Sequence, residues 1–141
     1  MNKTKVVLTD KDIADGNRII AEFMVPNWKS LMSEDYDGGI DGQDLFTAAC
    51  LCSEDYTNLK YFESFNSLFR VIEKIENLDK GLSYWITLCG HRITIEESHN
   101  IYKQESNETI VEYSGFNSSS KIQNYWCAIV DFIKYHNSLK N

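Results

Sequence analysis

Residues 64–96, SFNSLFRVIEKIENLDKGLSYWITLCGHRITIE, decide the fold class, because the spacing of the apolar residues changes midway. Phe65, Leu68, Phe69, Ile72 and Ile75 recur at three- and four-residue intervals, the period of a helix face. Glu63, Arg70, Glu73, Lys74 and Glu76 take the opposite side, so a surface helix is predicted from about Ser64 to Asn77. Beyond Asp79, Lys80 and Gly81 the period drops to two. Leu82, Tyr84, Ile86 and Leu88 alternate with Ser83, Trp85 and Thr87, as a strand buried on one face requires. CGHR supplies a tight turn around Gly90, and Ile93 and Ile95 resume the alternation. Two further strand candidates follow, HNIYKQE at 99–105 and ETIVEY at 108–113, with turns expected near Glu97–Ser98 and Ser106–Asn107. The result is an antiparallel meander of three or four strands.

Helices flank this sheet. Thr9, followed by Asp10 and Asp12, announces a first helix: the hydroxyl caps free N–H groups and the acids suit the positive end of the helix dipole. Ile13, Ile20, Phe23 and Met24 fall on one face, Pro26 ends the element, and Gly16 reads as a weak spot costing about 1 kcal/mol relative to alanine. Trp28, Leu31 and Met32 extend the apolar face; SEDYDGGIDGQD reads as a loop, and LFTAACLC fits a short helix or a buried strand equally. The serines of SGFNSSSK are placed to cap a last helix. Its stripe is Ile122, Tyr125, Trp126, Ile129, Val130 and Ile133, backed by Lys121, Asn124, Asp131 and Lys134. The order helix, helix, sheet, helix predicts an α+β domain with helices packed on the sheet. With no repeat and no linker, residues 1–141 read as one domain carrying an acidic insert at about 33–60.

The totals agree. The chain has 141 residues, 43% of them hydrophobic and 13% aromatic, enough for a core without staples. No apolar run approaches the roughly 20 residues of a membrane span, and MNKTKVVLTDKD holds too short an apolar stretch for an export signal, so a cytoplasmic location is expected. Cys50, Cys52, Cys89 and Cys127 therefore read as free, largely buried thiols. The net charge is −7, which disfavours general binding to phosphate backbones. Between Lys29 and Lys60 there is no basic residue but seven acids: Glu34, Asp35, Asp37, Asp41, Asp44, Glu54 and Asp55. The remainder balances, so the whole excess lies in this segment. Clustered carboxylates speed association with positively charged clefts, which makes these seven residues the candidate partner-binding site.

Other chemistry is weaker. DYDGGIDGQD fails the calcium-loop pattern in both registers, with Ala48 or Phe46 where a bidentate glutamate belongs. Cys50, Cys52, Cys89 and His91 have metal-ligand softness, but their pairs are one residue closer than structural zinc sites prefer. His91, His99 and His136 have no nucleophile set beside them in a catalytic motif. Trp28, Trp85 and Trp126 lie on stripes the fold is expected to bury. No enzyme and no cofactor are expected.

Three stretches carry a resemblance: IAEFM at 20–24, YFESFNSLFRVIEKIENL at 61–78 and SKIQNYWCAIVDFIKYHN at 120–137. Together, over roughly 40 residues, they resemble small uncharacterised phage and mobile-element proteins of Bacteroidetes, some grouped with phage α-β-α sandwich domains. The resemblance transfers no functional residue, and residues 33–60 depart from it. It implies a phage-encoded accessory protein acting in the host bacterial cell. The expected partner is then a host protein with a basic surface, such as a CRISPR effector nuclease, and the expected role an anti-defence inhibitor of the anti-CRISPR kind. The alternatives are a small metal-dependent enzyme using Cys50, Cys52, Cys89 and His91, and a self-associating structural or replication accessory.

Overall fold

The computed structural model describes residues 5–33, 38, 41–78, 83–98 and 108–139. The candidate strand at 99–105 lies outside them. The elements are α1 (Asp10–Met24), α2 (Trp28–Leu31), α3 (Gly42–Ser53), α4 (Phe65–Glu76), β1 (Ser83–Cys89), β2 (Arg92–Ser98), β3 (Glu108–Tyr113) and α5 (Lys121–Ser138). The fold is α+β, with an antiparallel sheet in the order β1-β2-β3.

Local signals act as their chemistry dictates. Thr9 and Asp12 form a reciprocal capping box on α1, Ser64 caps α4 and Ser120 caps α5. The ambiguous 45–52 stretch is helical within α3, whose N-terminus Asp41 caps by accepting from the Gln43 N–H at 2.7 Å. β1 and β2 pair from Ser83↔Ser98 to Cys89↔Arg92, closed by Gly90 and His91. Gly90 has φ +60° and His91 does not share the positive sign, the pattern of a turn that needs glycine at its first central position. β2 runs on through Glu97 and Ser98, both buried, so the turn expected there is absent. The register of β2 with β3 passes over Ile110, a bulge beside the Ile95–Glu96 step.

α5 is the centre of the molecule. Its Ile129, Phe132 and Ile133 are fully buried. One side of α5 meets β2 and β3, while α1 and α4 pack elsewhere on it and α3 lies against α1. Tyr84, Ile93, Ile95 and Val111 supply the covered sheet face. Trp85 is 37% exposed, contrary to the expectation of a buried tryptophan, because strand alternation turns it to the uncovered face. Phe65 and Phe69 are also more exposed than their spacing implied: Leu68, Val71, Ile72 and Ile75 form the buried face of α4, and the two rings stack on its shoulder.

Two residues assigned to solvent faces are structural. Asn124 is fully buried on α5, and its amide nitrogen donates to the carbonyls of His91, Ser114 and Ser118 at 2.9–3.0 Å, tying two loops to the helix. Lys74 reaches across from α4 and donates to the carbonyls of Phe23 and Met24, supplying the cation that the last turn of α1 lacks.

Gly16 has a specific task. A Cβ built there would sit 2.2 Å from the Trp126 indole, so only glycine lets α1 approach α5 this closely. Beside it, the Trp126 Nε1–H donates to Asn17 Oδ1 at 2.9 Å, and Asn17 Nδ2 donates to the Leu59 carbonyl at 3.3 Å. The indole also meets Phe62 edge to face, with centroids 5.1 Å apart.

Gly16→Ala is therefore expected to lower stability by about 1–3 kcal/mol through overpacking, the reverse of the gain of about 1 kcal/mol in an open helix. The urea unfolding midpoint reads the sign directly. A second expectation concerns alkaline pH. Tyr113 donates its hydroxyl to Asp131 and Tyr135 donates to Glu97, bridging α5 and the sheet. The hydrogen bond to Glu97 and burial push Tyr135 up to about 12; burial and the Asp131 carboxylate push Tyr113 higher still. A phenol held neutral in the fold contributes fully below the unfolded value near 10 and loses that contribution as pH climbs through the folded one. Unfolding free energy should fall between about pH 10 and 12, and Tyr135→Phe should flatten the fall.

Candidate functional site

Asp10, Ile13, Ala14 and Asn17 stand at i, i+3, i+4 and i+7 on one side of α1. Opposite them run the end of α3 and the connection to α4, which contributes Glu54, Asp55, Tyr56, Leu59, Phe62 and Glu63. The two sides enclose a groove of about 720 Å³. Its apolar lining is half-buried Ile13, Ala14, Tyr56 and Phe62 around buried Leu59. The Asn17 amide, 4% exposed, already serves Trp126 and Leu59. The charged groups lining the groove are all acids, Asp10, Glu54, Asp55 and Glu63.

The four predicted acids that lie in the described residues separate once the chain folds. Glu34, Asp35 and Asp37 lie outside the described residues. Asp41 is consumed in capping α3, and Asp44 sits in its first turn, where the helix dipole favours a carboxylate. Of the four described acids, Glu54 and Asp55 reach the groove. Two acids from outside the segment join them there. Asp10 was legible as an N-terminal helix acid, and its helical spacing from Ile13 and Ala14 is the signal that places it. For Glu63 the helical spacing predicts the solvent face of α4. It precedes the Ser64 cap instead and carries no sequence signal for the groove.

Each carboxylate is held differently. Asp55 Oδ1 accepts from the Thr57 backbone N–H at 3.1 Å and its hydroxyl at 2.7 Å, which keeps its carboxyl below the usual range. Glu63 faces Lys60 at 3.5 Å in an exposed pair of little energetic weight. Asp10 and Glu54 make no ion pair among the described residues. Glu54 has φ +57°, the left-handed region. Its N–H bonds the Leu51 carbonyl and the Asp55 N–H bonds the Cys50 carbonyl, the two bonds of a Schellman ending. That position normally belongs to glycine, and the negative end of the α3 dipole disfavours an acid there.

The cysteines only half follow expectation. Cys50 and Cys127 are buried, whereas Cys52 and Cys89 are exposed, since Cys52 lies on the outer side of α3 and Cys89 ends β1 at the hairpin. Among the described residues no three histidine, cysteine or acidic side chains come together as metal ligands. His91 is exposed in the hairpin turn and His136 is buried against Phe132 and Tyr84; His99 is outside the described residues. Trp126 is core, and Trp28 packs half-buried against it. No helix among the described residues is long and apolar enough to cross a membrane.

Two measurements check this geometry. Burial pushes the Cys127 thiol up to about 12 and raises Cys50, so a chromogenic disulfide should titrate Cys52 and Cys89 quickly and the other two only on unfolding. Four equally fast thiols would contradict the packing. Glu54→Gly removes both the left-handed strain and the dipole clash, and should raise unfolding free energy by about 1 kcal/mol in urea titration. Compared with known proteins, no family model, curated protein or solved structure matches the chain.

Proposed function

We propose that the protein is a non-enzymatic binding protein whose partner presents a basic surface. The observation that carries this reading is the groove: four carboxylates from three separate parts of the chain meet around an apolar floor, and among the described residues no lysine or arginine lines it. A charge-only surface would need no floor, and an apolar contact alone would need no acids. The two together suit a partner whose cationic side chains surround an apolar contact. The net charge of −7 adds long-range attraction toward such a partner.

The resemblance to phage and mobile-element proteins supports a host protein in that role, and a nucleic-acid-guided nuclease is a fitting one. Its channels are positively charged to hold nucleic-acid backbones, and a clustered set of carboxylates competes for the same ground. In this reading the protein is a phage-encoded anti-defence inhibitor acting inside the host cell. Stacked Phe65 and Phe69, respectively 38% and 42% exposed, favour a second reading, a self-associating accessory. Sedimentation over a range of concentrations separates the two, since a strict monomer removes it.

Expression of the chain in a bacterium immune to a phage through a guided nuclease should restore plaque formation. The purified nuclease should retain the tagged chain at about 0.1 M salt and release it at about 0.5 M, where screening is much stronger. No rescue and no retention against representative guided nucleases would remove this function.

A further inference from the structure

The groove's chemistry constrains what enters it more narrowly than "a basic partner". We propose that it receives a short cationic segment of a partner protein, one apolar side chain set on the floor between Ile13, Ala14 and Phe62 with lysine or arginine on its flanks; this rests on the reading of the site as a partner-binding groove. The floor explains the apolar anchor. Asn17, the side-chain amide among the described lining residues, is buried and already bonded to Trp126 and Leu59, so the floor between Ile13, Ala14 and Phe62 favours an apolar side chain over a polar one that would lose water there.

The flanks follow from the acids. Asp10 stands at the start of α1, Glu54 and Asp55 at the end of α3, and Glu63 just before α4, so the acids border the floor from three elements. Asp55 is fixed by Thr57 with its second oxygen unused by those bonds, and Glu63 is engaged only by exposed Lys60. Arginine suits Tyr56 especially, since a guanidinium stacks on an aromatic face while bonding a carboxylate. A nucleic acid would meet four like charges here. A volume of about 720 Å³ leaves room for an apolar side chain together with flanking cationic groups.

The test uses the full chain and labelled 12-residue peptides by fluorescence anisotropy. One peptide is rich in lysine and arginine around a central leucine; the second replaces that leucine with serine; the third replaces the basic residues with glutamate. The first should bind, the second at least about fivefold more weakly, the third not at all. Glu54→Gly, which keeps and strengthens the fold, and Ala14→Trp, which fills the floor, should each weaken the first peptide at least about fivefold. Equal affinity for the leucine and serine peptides, or undiminished binding by Glu54→Gly and Ala14→Trp, overturns the proposal and leaves a charged surface only. Absence of binding by the first peptide overturns it too. Failure of the host-partner reading is separately visible: the peptides would bind while no guided nuclease is retained. Retention of a nuclease undiminished by both variants would sink the groove and spare the function.

Discussion

The contact of Trp126 with Gly16 sets the distance between α5 and α1, and the hydrogen bonds beside it join the two walls of the groove. An indole at this position demands a residue without a side chain opposite it, and α1 provides one. The same ring donates to Asn17, which in turn holds the Leu59 carbonyl, and its face receives the edge of Phe62. One buried side chain, 109 residues from Asn17 in sequence, thereby fixes a helix and a non-helical connection. Buried hydrogen bonds of this kind are costly to leave unmade, so they specify one arrangement rather than merely favouring compactness.

Around that centre, polar groups do much of the positioning. Asn124 gathers three carbonyls from two loops, Lys74 closes the end of α1, and two tyrosine–carboxylate pairs bridge α5 to the sheet. Acids take part as well. Asp41 and Asp12 cap helices, and Asp55 orders the turn through Thr57. Two of the acids that a charge count reads as an interaction surface, Asp41 and Asp55, are thus engaged in local structure. Glu54 differs: it occupies a backbone position and a dipole end that both disfavour it. Such a residue is retained at a cost in stability, and costs of this kind concentrate at functional places.

The groove also illustrates how a site arises from unremarkable parts. Asp10 belongs to the first turn of a helix and is remote from Glu54 in sequence, while Glu63 belongs to a turn before another helix, at the far end of the connection that Glu54 opens. Their shared field exists only because α1 lies against the 54–63 connection. Single exposed pairs such as Lys60–Glu63 are individually weak, so what the groove offers is the sum of its four carboxylates.

What the sequence determined by itself were the local elements. Apolar period, caps and turn glycines act over three to seven residues, so α1, α4, α5, the β1–β2 hairpin and β3 were legible, as was the α+β class. Where those signals were mixed or long-range, they stopped. The 45–52 stretch shows no dominant period, and its Asp41 cap and its packing on α1 and α2 resolve it as helix. Trp85, Phe65 and Phe69 were misplaced because a stripe indicates which residues share a face but not how much of it a neighbour covers. Gly16 and Asn124 looked like a weak spot and a solvent residue, since the partners that give them meaning are Trp126 and two distant loops. The seven-acid segment was visible as composition. Its division into caps, turn residues and two groove residues, and the recruitment of Asp10 and Glu63, were decided by tertiary structure alone, because charge acts through distance in space and the chain sets that distance only when it folds.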